Sequence, residues 1–212
     1  MLKKLKDDIS AHIEKNRNSY FFLLLAFVLG VSAGAFTVNG LSTIQRDELN
    51  NYFQGFLQLL NNQTVESSEL FSYGLAENMK LVGLLWVLGL TIIGIPFIYL
   101  ILGVKGFITG FSSGFIINAL GIKGLLFTAF SLLPKEIVIV PCLIAIGVNG
   151  IKFSMYIARS KSTNAISKGL KASFISNCLK TVLFASIIMV GIAIDAYITP
   201  VMVRIIAPIF TE

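Results

Sequence analysis

Residues 81–141 read LVGLLWVLGLTIIGIPFIYLILGVKGFITGFSSGFIINALGIKGLLFTAFSLLPKEIVIVP, a stretch almost wholly apolar, yet dense in glycine and interrupted by proline. A hydrocarbon layer of roughly 30 Å takes about 20 helical residues at about 1.5 Å each, and apolar runs of this length fit it. The stretch therefore reads as a membrane core and not as the core of a soluble enzyme. Within it Gly106, Gly110 and Gly114 recur every fourth residue. Two overlapping G-x-x-x-G steps on one helical face let a second helix approach closely, so this face is first of all a packing surface.

The whole chain agrees. Of its 212 residues 55% are hydrophobic and 13% charged, and the mean hydropathy is +0.82. The expected fold is one all-α polytopic membrane domain, 1–212, embedded in the lipid bilayer. A net charge of +6 could suggest nucleic acid. In a membrane protein, however, Lys and Arg mark cytoplasmic loops, and no nucleic-acid partner is expected. Cys142 and Cys178 lie in or beside apolar runs without zinc spacing, and read as small hydrophobic residues.

Taken in order, residues 1–19 carry five basic residues among apolar Leu2, Leu5, Ile9 and Ile13, a pattern that predicts a cytoplasmic amphipathic start. Residues 20–38 form the first span, with Gly30 and Gly34 as its own small-residue face. A rival reading takes Ala33-Gly34-Ala35 as the end of a signal peptide. Residues 42–80 are predominantly acidic and polar. Within them Leu49, Tyr52, Phe53 and Phe56 follow helical spacing and predict an amphipathic helix over 47–60 whose stripe lies on lipid or on a partner.

The second span is expected over 81–102, with Pro96 as a kink, and residues 103–105 as a tight hairpin. The third covers 106–133 with a break near 121–124, at Gly121 and Gly124. Beyond that break the chain either continues as a tilted helix or dips back as a re-entrant half-helix over 124–133 that Pro134 closes. The fourth span is 136–158, with Pro141 in its first turns. A basic connection over 159–178, the fifth span over 179–199 and an interfacial tail over 200–212 complete the chain. Lys and Arg are densest before the first span and after the fourth, which places the N-terminus in the cytoplasm and the C-terminus outside.

No constellation for catalysis is visible: no nucleophile beside a base, no phosphate-binding glycine loop, no metal-ligand spacing. The expectation is a non-enzyme without metal or cofactor. Asn118, Asn149 and Asp195 are polar residues in or near spans, where burial is costly, so a channel or transporter using a path near them is the alternative function.

The block WVLGLTIIGIPFIYLILGVKGFITGFSSGFIIN, followed by LLPKEIVIVP, resembles the stage II sporulation protein M family, polytopic members of the engulfment machinery of endospore-forming bacteria. The resemblance extends from Gly30 and Gly34 to Asp195, Tyr197 and Pro200. Many relatives outside sporulation carry an acidic residue where this chain has Ile139. The resemblance implies a scaffold in the mother-cell membrane at the engulfing septum. Its partners would be the stage II sporulation proteins D and P, which cut septal peptidoglycan. The aromatic stripe of Leu49, Tyr52, Phe53 and Phe56 is then expected to form part of the docking surface. It leaves open whether the glycine faces pack within one chain or between copies in a homo-oligomer.

Overall fold

A computed structural model describes Glu14 and residues 16–62, 67–160 and 167–206; side chains at 56–62, 160, 167–168 and 198–206 are not described. All the regular elements among these residues are helical. They are α1 (Arg17–Asn39), α2 (Thr43–Asn62), α3 (Ser67–Gly89), α4 (Gly94–Leu120), α5 (Ile122–Phe127), a π-helical turn (Thr128–Leu132), α6 (Leu133–Ser160) and α7 (Ser167–Ile206). Four helical runs are long and apolar enough to cross a membrane: Arg17–Asn39, Gly94–Leu120, Ile122–Arg159 and Gly169–Tyr197.

Helix α6 is the centre. Ile139, Leu143, Ile146 and Val148 are buried almost completely, because α1, α3, α4 and α7 surround it. The outer helices turn apolar side chains away from this core, Phe21, Leu25 and Leu29 on α1, Leu100 and Ile108 on α4, Val182 and Val190 on α7. A helix apolar on its outer face as well as its inner one is suited to lipid.

The glycine faces meet each other inside one chain. A Cβ on Gly34 would stand 2.7 Å from the Phe111 nitrogen, and one on Gly110 2.7 Å from the Val31 Cα. Gly30 abuts the Gly103 carbonyl, Gly106 that of Phe27, and Gly114 rests on Ala35. Since Phe27, Val31 and Ala35 pair in ascending order with Gly106, Gly110 and Gly114, α1 and α4 run parallel. The chain must therefore travel back along the bundle between them. Helix α3 makes this return, roughly 35 Å at about 1.5 Å per residue, with Gly74 beside Ile192 and Trp86 beside Phe174 of α7.

Several boundaries differ from the expected ones. Residues 81–102 are not one span, because α3 ends at Gly89 and α4 begins at Gly94, and residues 103–105 lie mid-helix instead of in a hairpin. The turn sits where backbones touch. A Cβ on Gly89 would lie 2.5 Å from the Gly150 Cα, one on Gly94 would strike the Leu88 carbonyl, and Ser154 donates its hydroxyl to the Thr91 carbonyl. Pro96 is consequently no kink; it stands in the first turn of α4, where a missing N–H costs nothing.

The break near 121–124 is at Gly121, the sole positive-φ residue described (φ 59). Gly124 follows inside α5, pressed on the Ile116 carbonyl. From Ile122 the chain stays helical to Ser160, so residues 124–133 are no half-helix closed by Pro134. A proline ring collides with the carbonyl four residues back. The π turn before Pro134 takes up that mismatch, with the Leu133 N–H donating to the Thr128 carbonyl five residues away. Pro141 is likewise inside α6. Helix α7 starts at Ser167, which shortens the expected connection over 159–178, and its backbone continues past Pro200 to Ile206, where a separate tail was expected. Apart from its last few residues, the amphipathic start over 1–19 lies outside the described residues, as do residues 207–212.

Candidate functional site

Two ion pairs join α6 to its neighbours. Lys135 and Glu136 are adjacent in sequence, so in a helix their side chains leave about 100° apart. Each therefore meets a different partner. The Glu136 Oε1 accepts from Lys105 Nζ of α4 at 3.1 Å, and Lys135 Nζ donates to Asp195 Oδ2 of α7 at 3.0 Å. One turn of α6 thus ties α4 on one side and α7 on the other.

The first pair is deep. Gly30 of α1 packs between Gly103 and Phe107, at the level of Lys105. Roughly 20 Å of helix rise separates Gly30 from Arg17 and roughly 14 Å separates it from Asn39, so Lys105 lies well inside the apolar length of α1. Its side chain is 14% exposed and that of Glu136 10%. Charges at such depth cost about 2.5–3.5 kcal/mol each on insertion scales, and mutual pairing offsets that cost. The second pair is more open, at 27% for each partner.

Polar groups extend this layer. On α4, Thr109 and Ser113 donate their hydroxyls to the carbonyls of Lys105 and Thr109. Thr128 and Ser131 of the π turn are buried just before Lys135. The second carboxylate oxygen of Glu136 is buried without a hydrogen-bond partner. π turns recur at functional sites because they shift the facing of every later side chain, and this one sets that of Lys135 and Glu136.

Not all the residues expected to act together do so. Asn118 is exposed near the end of α4 opposite to Arg17, whereas Asn149 is buried beside Gly150, at the level of the turn over 90–93. Asp195 is occupied by Lys135. These three line no common path. The α2 stripe is also divided. Phe53 is buried, with its ring edge-on to Phe115 at 6.1 Å and Phe127 at 6.4 Å, and Leu49 packs on the same cluster. Both rest α2 against the C-terminal ends of α4 and α5. Tyr52 is 81% exposed, with Ile44 also exposed on α2; the side chain of Phe56 lies outside the description.

Sequence reasoning passed over Lys105, Lys135 and Glu136. The signal was present. Between Glu77 and Glu212 the chain has two acidic residues, Glu136 and Asp195, and each is matched here by a lysine. A lysine within a long apolar run demands such a partner. Among the described residues no three of His, Cys, Asp and Glu cluster closely enough to hold a metal ion.

The amino-acid sequence matches a known protein family. The family model described as "Stage II sporulation protein M" matches residues 23–200. No curated protein and no solved structure matches the chain. The matched segment contains the α1–α4 glycine contact, both ion pairs and the π turn. This multi-pass membrane chain, connected with sporulation, belongs to the stage II sporulation protein M family.

Proposed function

We propose that the chain is a five-pass, non-catalytic platform that holds peptidoglycan-degrading enzymes over the septal wall during engulfment. The return of α3 between parallel α1 and α4 supports a fifth pass beside the four long apolar runs. Arg17, Lys152, Arg159, Lys171 and Lys180 gather at one end of the bundle, which favours that end in the cytoplasm. The C-terminus is then extracytoplasmic, and α2 lies on the outer surface of the mother-cell membrane.

The observation that carries the reading is the way α2 is mounted. Phe53 and Leu49 rest on the Phe115–Phe127 cluster, which leaves Ile44 and Tyr52 presented outward on the opposite part of the helix. Exposed apolar and aromatic side chains on a helix held at one face suit a protein partner. By family resemblance the partners are the stage II sporulation proteins D and P, and the cutting chemistry is theirs. The docking surface accordingly keeps Tyr52 of the sequence stripe, loses the buried Phe53 and Leu49, and adds Ile44. In sporulating cells, an Ile44→Asp, Tyr52→Asp variant that accumulates normally should leave both enzymes unconcentrated at the septum. Unchanged septal recruitment would refute this surface.

One observation favours a second reading. The unpartnered buried oxygen of Glu136 could bind a translocated cation. A flux into proteoliposomes holding this chain alone, abolished by Glu136→Gln, would establish transport and displace the platform reading.

A further inference from the structure

At the basic end of the bundle a cavity of about 560 Å³ opens between α6 and α7. Lys152 and Arg159 reach it from α6 and Lys180 from α7, and no acidic residue lines it. Its floor is polar. Asn149 and Asn177 are 4% and 6% exposed, and they leave buried amide groups without hydrogen-bond partners, the Nδ2 of Asn149 and both the Nδ2 and Oδ1 of Asn177. Buried amides in a native protein are ordinarily satisfied, so the Nδ2 groups of both side chains point to an occupant that accepts hydrogen bonds, while Asn177 Oδ1 can take a headgroup hydroxyl. Ser173 and Ser176 add hydroxyl donors along α7.

We propose that this cavity binds a phosphate group, and that its source is the headgroup of an anionic glycerophospholipid in the adjacent leaflet. Three cations with amide and hydroxyl donors match the charge and the several acceptor oxygens of a phosphate. The lipid source is favoured by the cavity's place. Its wall includes Met155, and Phe174 lies against Phe153 beside it; both Met155 and Phe174 are partly exposed on the lipid-facing perimeter. Basic pockets between spanning helices on the cytoplasmic side bind lipid headgroups in the same way. The site does not depend on the platform reading, and a bound lipid here would brace the α6–α7 pair at the end opposite to the Lys135–Asp195 contact.

Trp86, the single tryptophan, provides a reporter, since its ring stands 6.1 Å from Phe174, which in turn lies 5.9 Å from Phe153 of the cavity wall. The full chain in a neutral detergent would be titrated with short-chain phosphatidylglycerol, short-chain phosphatidylcholine or inorganic phosphate, with Trp86 fluorescence and thermal midpoint followed together. Phosphatidylglycerol alone should give a saturable change in both. Replacing Lys152 and Lys180 with glutamine should weaken it roughly thirtyfold, the expected effect of removing two cations near an anionic headgroup. Asn177→Ala should weaken it too, while Lys171→Gln, outside the cavity, should leave it intact. Equal responses to inorganic phosphate would overturn the lipid assignment. No saturable response to any anion, or one that both cavity variants retain, would overturn the site.

Discussion

Lys105 and Glu136 decide how the core tolerates charge. Removing one partner strands the other in an apolar bundle, so Lys105→Ala or Glu136→Ala should destabilise the protein by about 3–5 kcal/mol. Replacing both with leucine should recover most of that loss, since an apolar pair of similar volume needs no counter-charge. Thermal unfolding in detergent, run as a double-mutant cycle, measures the coupling, and additive losses would show that the two side chains act independently. At this scale much was legible. The acidity of Glu136 and Asp195 and the isolation of Lys105 are plain in the sequence. Their pairing was hidden because residues 103–105 read as a hairpin, which put Lys105 in water, where it needs no partner.

The contact between α1 and α4 was half legible. Four-residue glycine spacing identified both faces, but spacing carries no information on whether two faces meet in one chain or across a dimer. Gly110→Leu should prevent the close approach, because a Cβ there already stands 2.7 Å from the Val31 Cα. The same change at Gly83, where a Cβ meets nothing within 4 Å, should be tolerated. Accumulation of the two variants in membranes compares them directly. Helix α2 behaves differently. Its apolar stripe was visible as periodicity, yet periodicity cannot say what covers a face, and the burial of Phe53 depends on Phe115 and Phe127 far along the chain. Phe53→Ala should cost about 3–5 kcal/mol of that docking. Cleavage within α2 by added protease should accelerate while the spanning helices stay protected. The turn over 90–93 went unread because an unbroken apolar run of about 20 residues satisfies the length rule for a span. The proline two residues after Gly94 was the local clue to a helix start.

For the whole molecule, the parallel course of α1 and α4 sets α3 running back along the bundle between them, and Glu69, Glu77 and Lys80 keep that helix out of the four long apolar runs, so the fifth pass belongs to the proposal. Hydropathy ranks segments singly and cannot register that two distant helices share a direction. Cysteine labelling tests this in a chain whose Cys142 and Cys178 are replaced by alanine. Thr43→Cys should react with an impermeant maleimide in intact cells, and Thr91→Cys only after permeabilisation. Labelling of both from the same side would contradict the return. The platform itself is tested most directly by co-isolation. The full chain would be solubilised from sporulating cells in a detergent that preserves the assembly, and the peptidoglycan-cutting proteins recovered with it quantified for the native chain and for Ile44→Asp, Tyr52→Asp. The native chain should bring down the stage II D and P proteins and the variant should lose them, at equal amounts of bait. Absence of both enzymes from the native sample, or equal recovery with the variant, would contradict the assignment of α2 as their mount.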